Sequence, residues 1–177
     1  MKDTMTDRDG DIRIRDMRVS DPAYFADGER RQGWHADERK LNGALRDAAS
    51  GLAVALTAEL GGVPAGYVRV YRSGKDGPFA RLGYPEIVDI NVLEKFRRRG
   101  VGTALMDAAE AVAASISDTV YLAVGLHGGY GSAQRMYVKR GSIPDGTGAW
   151  YGDAVCEPYS ACANDDDLVL YLLKKLY

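Results

Sequence analysis

The chain has 177 residues, with 23 Lys plus Arg against 25 Asp plus Glu, a length that suits one domain with a sizeable core. Its slightly negative net charge argues against a protein drawn to nucleic acid by long-range attraction, and no apolar run reaches the length of a membrane span. The two cysteines, Cys156 and Cys162, are too few for a disulfide scaffold and fit no zinc spacing, so two free thiols and no metal are expected, with a strand-end disulfide the less favoured alternative.

The opening "MKDTMTDRDGD" is charged and lacks the apolar core of a signal peptide. A cytoplasmic protein is expected, with residues 1–10 a flexible N-terminus and residues 11–177 the folded domain. "DIRIRDM" alternates as a first strand. In "SDPAYFADGERR" Asp21 reads as an N-cap and Pro22 as the first helical position. A second helix follows "GWHADER", with Leu41, Leu45 and Ala48 on one face. "LAVALTAEL" and "AGYVRVYR" flank "GGVP" as a hairpin, and "YPEIVDINV" is a further strand.

Next comes "RRRGVGTAL", residues 97–105, and then Val101, Leu105, Ala108 and Val112 recur at helical spacing. "TVYLAV" reads as a strand buried on both faces, and "GSAQRMYVKRG" as a helix with Ala133, Met136 and Tyr137 on one side and Gly141 as the stop. "DDDLVLYLLKKLY" closes the chain as a strand, Asp165, Asp166 and Asp167 forming a charged turn before it or a lure for a cationic amine. Strand, two helices, three strands, helix, strand, helix and two strands make an α/β domain with a mixed sheet.

The loop after "YPEIVDINV" is the most informative stretch. The first amides of a helix have no partner inside it, and the helix dipole adds partial positive charge. Gly100 and Gly102 remove side chains that would keep an anion from that backbone, and Arg97, Arg98 and Arg99 stand beside it. A solvated turn is the plainer alternative. No Gly-Lys-Ser/Thr follows, so this is not a P-loop, and the third glycine of a dinucleotide fingerprint is missing.

Arg97-x-x-Gly100-x-Gly102 resembles the [Gln/Arg]-x-x-Gly-x-[Gly/Ala] pyrophosphate loop of the GNAT superfamily of acyl-CoA-dependent N-acyltransferases. The later segment "YGSAQRMYVKRGS" is similar to the family's Asn-x-x-Ala-x-x-Leu-Tyr-x-x-x-Gly-Phe, matching at Ala133, Tyr137 and Gly141. Tyr130 stands where the family often has Asn, and Ser142 where it has Phe or Tyr. The resemblance implies a single-domain fold with a central, mostly antiparallel mixed sheet split between its fourth and fifth strands and flanked by helices.

It also implies acetyl-CoA as co-substrate and an amine as acceptor. Ile90, Asn91 and Val92 would pair with the pantetheine arm, the amide near Val92 polarising the thioester carbonyl. The amides of Arg98, Arg99, Gly100, Val101, Gly102 and Thr103 would take the pyrophosphate. Tyr130, Ser132 and Ala133 would border the pantetheine, Ser132 standing in for the missing Asn. Tyr137 would return a proton to the departing thiolate; core filling is the alternative.

An ammonium acceptor must lose a proton. Glu86 lies fourteen positions before Gly100, the distance at which histone acetyltransferases of the superfamily carry their catalytic Glu. Asp89 is the second carboxylate of that strand, and alternation puts the two on opposite faces. The Glu that ribosomal-protein acetyltransferases use on the following strand is replaced by Gly125. His127 is a loop histidine that relays a proton or is simply solvated. Trp34 and His35 lie between the first two helices, which line the acceptor pocket in this superfamily, and Asp89 joins them as a substrate contact. The sequence therefore reads as an N-acetyltransferase working by direct transfer in a ternary complex, with a non-catalytic acyl-CoA sensor as the alternative. Nucleic acid and membrane are not expected partners, and a homodimer is the base-rate expectation.

Overall fold

A computed structural model describes residues 11–177; the expected flexible start over residues 1–10 lies outside the described residues. The elements run β1 (Ile12–Asp16), α1 (Asp21–Arg31), α2 (Glu38–Ala49), β2 (Ala53–Leu60), β3 (Val63–Tyr71), β4 (Glu86–Val92), α3 (Val101–Ala114), β5 (Thr119–Gly125), α4 (Gly131–Lys139), β6 (Ile143–Tyr151), β7 (Ala154–Val155) and β8 (Leu168–Lys175). The strands form one sheet in the order β1-β2-β3-β4-β5-β8-β6-β7. Pairs β1–β2, β5–β8, β8–β6 and β6–β7 are antiparallel, whereas β4 and β5 run parallel and register only at Glu86↔Tyr121. This is the mixed sheet, flanked by helices and split between its fourth and fifth strands, that the resemblance implies.

The chain forms two compact units, Met1–Arg69 with Asp89–Ala109 and Val70–Val88 with Glu110–Tyr177. In the first, the β2–β3 turn is made by Gly61 and Gly62, both at positive φ (59° and 80°), as a tight two-residue hairpin requires. Phe25, Ala26, Leu41, Ala44, Ala58 and Val68 are fully or almost fully buried there. The seam of α2 runs through Leu41 and Ala44, while Leu45 and Ala48 are only half-buried, a small rotation from the expected face. The apolar face of α3 is likewise turned: Val101, Leu105, Met106, Ala109 and Ala113 are buried, and Ala108 and Val112 half-buried.

The start of α1 also differs from expectation. Ser20, not Asp21, is the N-cap, and Asp21 is the first helical residue. The Asp21 carboxylate accepts two bonds from the Arg15 guanidinium (2.6 and 3.0 Å), one from the Arg18 N–H (2.8 Å) and one from the Thr57 hydroxyl (2.9 Å). A charged, multidentate partner outcompetes the capping geometry.

In the second unit β5 is buried along most of its length, matching a strand covered on both faces. Tyr121 and Tyr171 pack with Phe79 and Trp150 into an aromatic cluster. Beyond β7 the expectation of free thiols is corrected: Cys156 and Cys162 form a disulfide. The Cys156 N–H bonds to the Ala149 carbonyl (2.8 Å) and the Ser160 N–H to that of Glu157 (3.0 Å). This folds the loop back until the two Cα atoms are 6.8 Å apart, within bridging reach.

Candidate functional site

The β4–α3 connection is the first component. After β4 a short 3₁₀ turn over Glu94–Phe96 leads to Arg97 in extended conformation. Arg98 follows at φ 58° and Gly100 at φ 86°. Such alternation of hand turns successive N–H groups toward one side, the geometry of an anion nest. Gly100 is required: its φ is left-handed, and a Cβ there would sit 3.3 Å from Ile12 Cδ1. The first amide of α3 to bond backward is that of Ala104, to the Gly100 carbonyl (3.0 Å). The N–H groups of Val101, Gly102 and Thr103 precede it at the positive end of the helix. The Val101 side chain is buried, so only its main chain faces outward, while Arg98, Arg99 and Thr103 are exposed.

Arg97 is folded onto its own surroundings. Its Nε donates to the Val92 carbonyl (3.3 Å), and its guanidinium lies 4.7 Å from the centre of the Trp34 ring, a cation–π contact. The structure thus ties Trp34 to the loop. His35 is exposed on an open depression of about 480 Å³ lined by Arg30, Asp37, Glu38 and Asn42.

On β4 the three pantetheine candidates Ile90, Asn91 and Val92 are half-buried. Asn91 Nδ2 donates to Glu29 Oε1 (2.8 Å) and to Tyr67 Oη (3.3 Å), and Tyr67 Oη donates to the same Glu29 oxygen (2.7 Å). Burial first, and then Glu29, push the Tyr67 phenol well above its ordinary pKa. Sequence reasoning passed over Glu29 and Tyr67. The available signal was a charged residue four positions after Phe25 on a helix whose apolar face it shares. Asp89 has φ 52°, so strand alternation does not carry through it. Its carboxylate pairs with Arg69 and Lys40, two cations that already engage its oxygens.

In the second unit Glu86 is 6% exposed and its Oε2 accepts from Tyr121 Oη (3.1 Å). Burial, then Glu86, raise the Tyr121 phenol far above its ordinary value, so that hydroxyl keeps its proton at neutral pH. Tyr137 on α4 is 5% exposed. Burial first, then Tyr130, push its pKa up, and its hydroxyl has no hydrogen-bond partner among the described residues. It is a protonated phenol with its proton uncommitted.

Tyr130 Oη donates to Asp166 Oδ1 (2.8 Å), and burial followed by Asp166 pushes this phenol up to about 12. Its ring fills the space above Gly125, where a Cβ would overlap it. Tyr130 in place of Asn and Gly125 in place of Glu are therefore one packing solution. Gln134 Nε2 donates to the Gly125 carbonyl (2.7 Å), another contact the sequence did not suggest. His127 Nδ1 accepts from the Gly129 N–H (3.1 Å), so its proton sits on Nε2, facing Asp166 Oδ1 at 3.0 Å. Ser132 is exposed and Ala133 half-buried. Among the described residues no cluster of three or more His, Cys, Asp or Glu could hold a metal ion, and no helix is long and apolar enough to cross a membrane.

Fold and loop together define an α/β protein whose fourth strand feeds a main-chain anion nest at a helix start. The model of the acetyltransferase (GNAT) family matches residues 14–141, and the chain belongs to that family. No curated protein sequence matches it. Ard1 from Thermoplasma volcanium shares the fold at 18% identity and TM-score 0.66, over 94% of this chain and 98% of that one. So does yncA from Salmonella typhimurium, solved with its cofactor acetyl-CoA, at 14% identity and TM-score 0.66 over 94% of each chain. The ribosomal-protein-S18-alanine N-acetyltransferase of Escherichia coli aligns at 13% identity and TM-score 0.63, again over 94% of each.

Proposed function

We propose that this protein transfers an acetyl group from acetyl-CoA to a primary amine by direct transfer in a ternary complex. The observation that carries the reading is the Arg97–Thr103 loop, with left-handed Arg98 and Gly100 ahead of the first helical amides, because it makes an anion seat from main chain. Acetyl-CoA supplies the activated thioester. The amides from Arg98 to Thr103 hold its pyrophosphate, and Ile90, Asn91 and Val92 align its pantetheine. The Val92 amide polarises the carbonyl, an oxyanion-type role. Tyr130, Ser132 and Ala133 border the same arm, and Trp34 braces the loop by carrying Arg97.

Glu86 Oε takes the proton that the ammonium must lose, and Tyr137 Oη gives one to the leaving sulfur. The double ion pairing of Asp89 supports Glu86 over Asp89 as base, leaving Asp89 to hold Lys40 of α2 and Arg69 of β3 in place. The Tyr137 hydroxyl supports the role of acid because its proton is committed to no other acceptor among the described residues.

Gly102→Glu puts bulk and a like charge into the seat, and isothermal calorimetry should detect no CoA binding to it; unchanged CoA affinity would refute the seat. Tyr137→Phe keeps the ring and should lower kcat by roughly 10²–10⁴-fold with little change in KM for acetyl-CoA. Near-normal kcat in that variant would return Tyr137 to a packing role. A protein that binds CoA but releases none with any amine would be the acyl-CoA sensor instead.

A further inference from the structure

Glu29 is 4% exposed, and no cation among the described residues bonds to it. Withdrawing a carboxylate from water costs several kcal/mol, and proteins offset this with a cation or a full set of hydrogen bonds. Glu29 has neither among the described residues. Its two donors, Tyr67 Oη and Asn91 Nδ2, are neutral and both bond to Oε1. Oε2 has no partner among the described residues. One oxygen is clamped and the other is left open by the described residues.

The location gives this arrangement meaning. Gly28 brings α1 against the residue after β4, since a Cβ there would lie 2.9 Å from Leu93 Cδ1. Glu29, next on the helix, is thereby held against Asn91, the middle residue of the stretch assigned above to aligning the thioester.

We infer that Glu29 Oε2 anchors the ammonium of the acceptor, with Tyr67 and Asn91 as positioning residues that fix Oε1. This rests on the acetyl-transfer reading and narrows it: the acceptor is an alkylamine, cationic at neutral pH, and not an arylamine or an alcohol. A buried carboxylate with an open oxygen selects charge, because a neutral group of equal size leaves it uncompensated.

The side-chain amide of Asn91 shares the carboxylate and so reports on it. ¹⁵N-HSQC spectra of the full chain are recorded during titration with n-butylamine hydrochloride, with n-butanol at matched ionic strength as the neutral control. n-Butylammonium should move the Asn91 side-chain pair saturably and n-butanol should not. Glu29→Gln, which keeps an Oε1 acceptor for both donors, should weaken the n-butylammonium response about ten- to a hundred-fold, the range for a lost charged hydrogen bond. No saturable movement, an equal response to n-butanol, or a response that survives Glu29→Gln would overturn the inference. Should Glu29→Gln not fold, the contrast between the two ligands on the native chain decides. Calorimetry with acetyl-CoA on the same sample separates the layers. Retained acetyl-CoA binding with a silent Asn91 overturns the ammonium anchor alone, whereas no acetyl-CoA binding overturns the acetyl-transfer reading beneath it.

Discussion

The two ends of α1 treat a buried carboxylate in opposite ways. At its first turn Asp21, 2% exposed, is gripped by the Arg15 guanidinium, the Arg18 amide and the Thr57 hydroxyl. Two turns later Glu29, nearly as buried, meets only a phenol and an amide among the described residues. The first has its charge cancelled from within the chain and both of its oxygens bonded. The second keeps an acceptor in reserve. A buried carboxylate is structural when the fold brings its cation and available for binding when it does not.

The sharpest test of that difference is stability. Asp21→Ala leaves the Arg15 guanidinium, whose side chain is 8% exposed, with Glu59 as its remaining carboxylate and takes the acceptor from Arg18 N–H and Thr57; it should cost about 2–3 kcal/mol in urea or thermal unfolding. The same site should show in the acid limb. Burial pulls the Asp21 pKa up, but the bonds from Arg15, Arg18 and Thr57 outweigh it and leave it below the ordinary value. A carboxylate whose pKa falls on folding contributes fully above its unfolded value and loses that contribution as pH drops through the folded one. The native chain should therefore lose stability below about pH 4, and Asp21→Asn, which cannot titrate, should flatten that part of the slope.

Glu29→Gln should shift unfolding by less than about 1 kcal/mol, since both neutral donors keep an acceptor. A loss as large as that of Asp21→Ala would erase the contrast. The smallest effect belongs to the exposed pair between Arg31 and Asp27 (2.9 Å): Arg31→Ala should change stability by less than about 0.5 kcal/mol.

What the sequence discloses and what it hides follow from separation along the chain. The β4–loop–α3 unit is legible because strand, glycines and helix are contiguous, and main-chain chemistry needs no distant partner. The β2–β3 hairpin is legible for the same reason. The Glu29–Tyr67–Asn91 triangle is not, because its members lie 38 and 62 positions apart and Glu29 sits in a run of charge that reads as a solvated face. Asp21 looks like a cap for a similar reason: its true partners Arg15 and Thr57 arrive from two strands. Cysteine spacing does not disclose the bridge, which depends on how the loop beyond β7 doubles back. Asp89 escaped the alternation rule because its own backbone leaves the strand conformation.

The interlock of Gly125 with Tyr130 limits how this protein can change. A side chain at position 125 cannot share that volume with the Tyr130 ring, so a substitution at one position forces a change at the other. Displacing the ring also releases the phenol bond to Asp166. Libraries that vary positions 125 and 130 together will therefore sample packings that libraries varying position 125 alone miss.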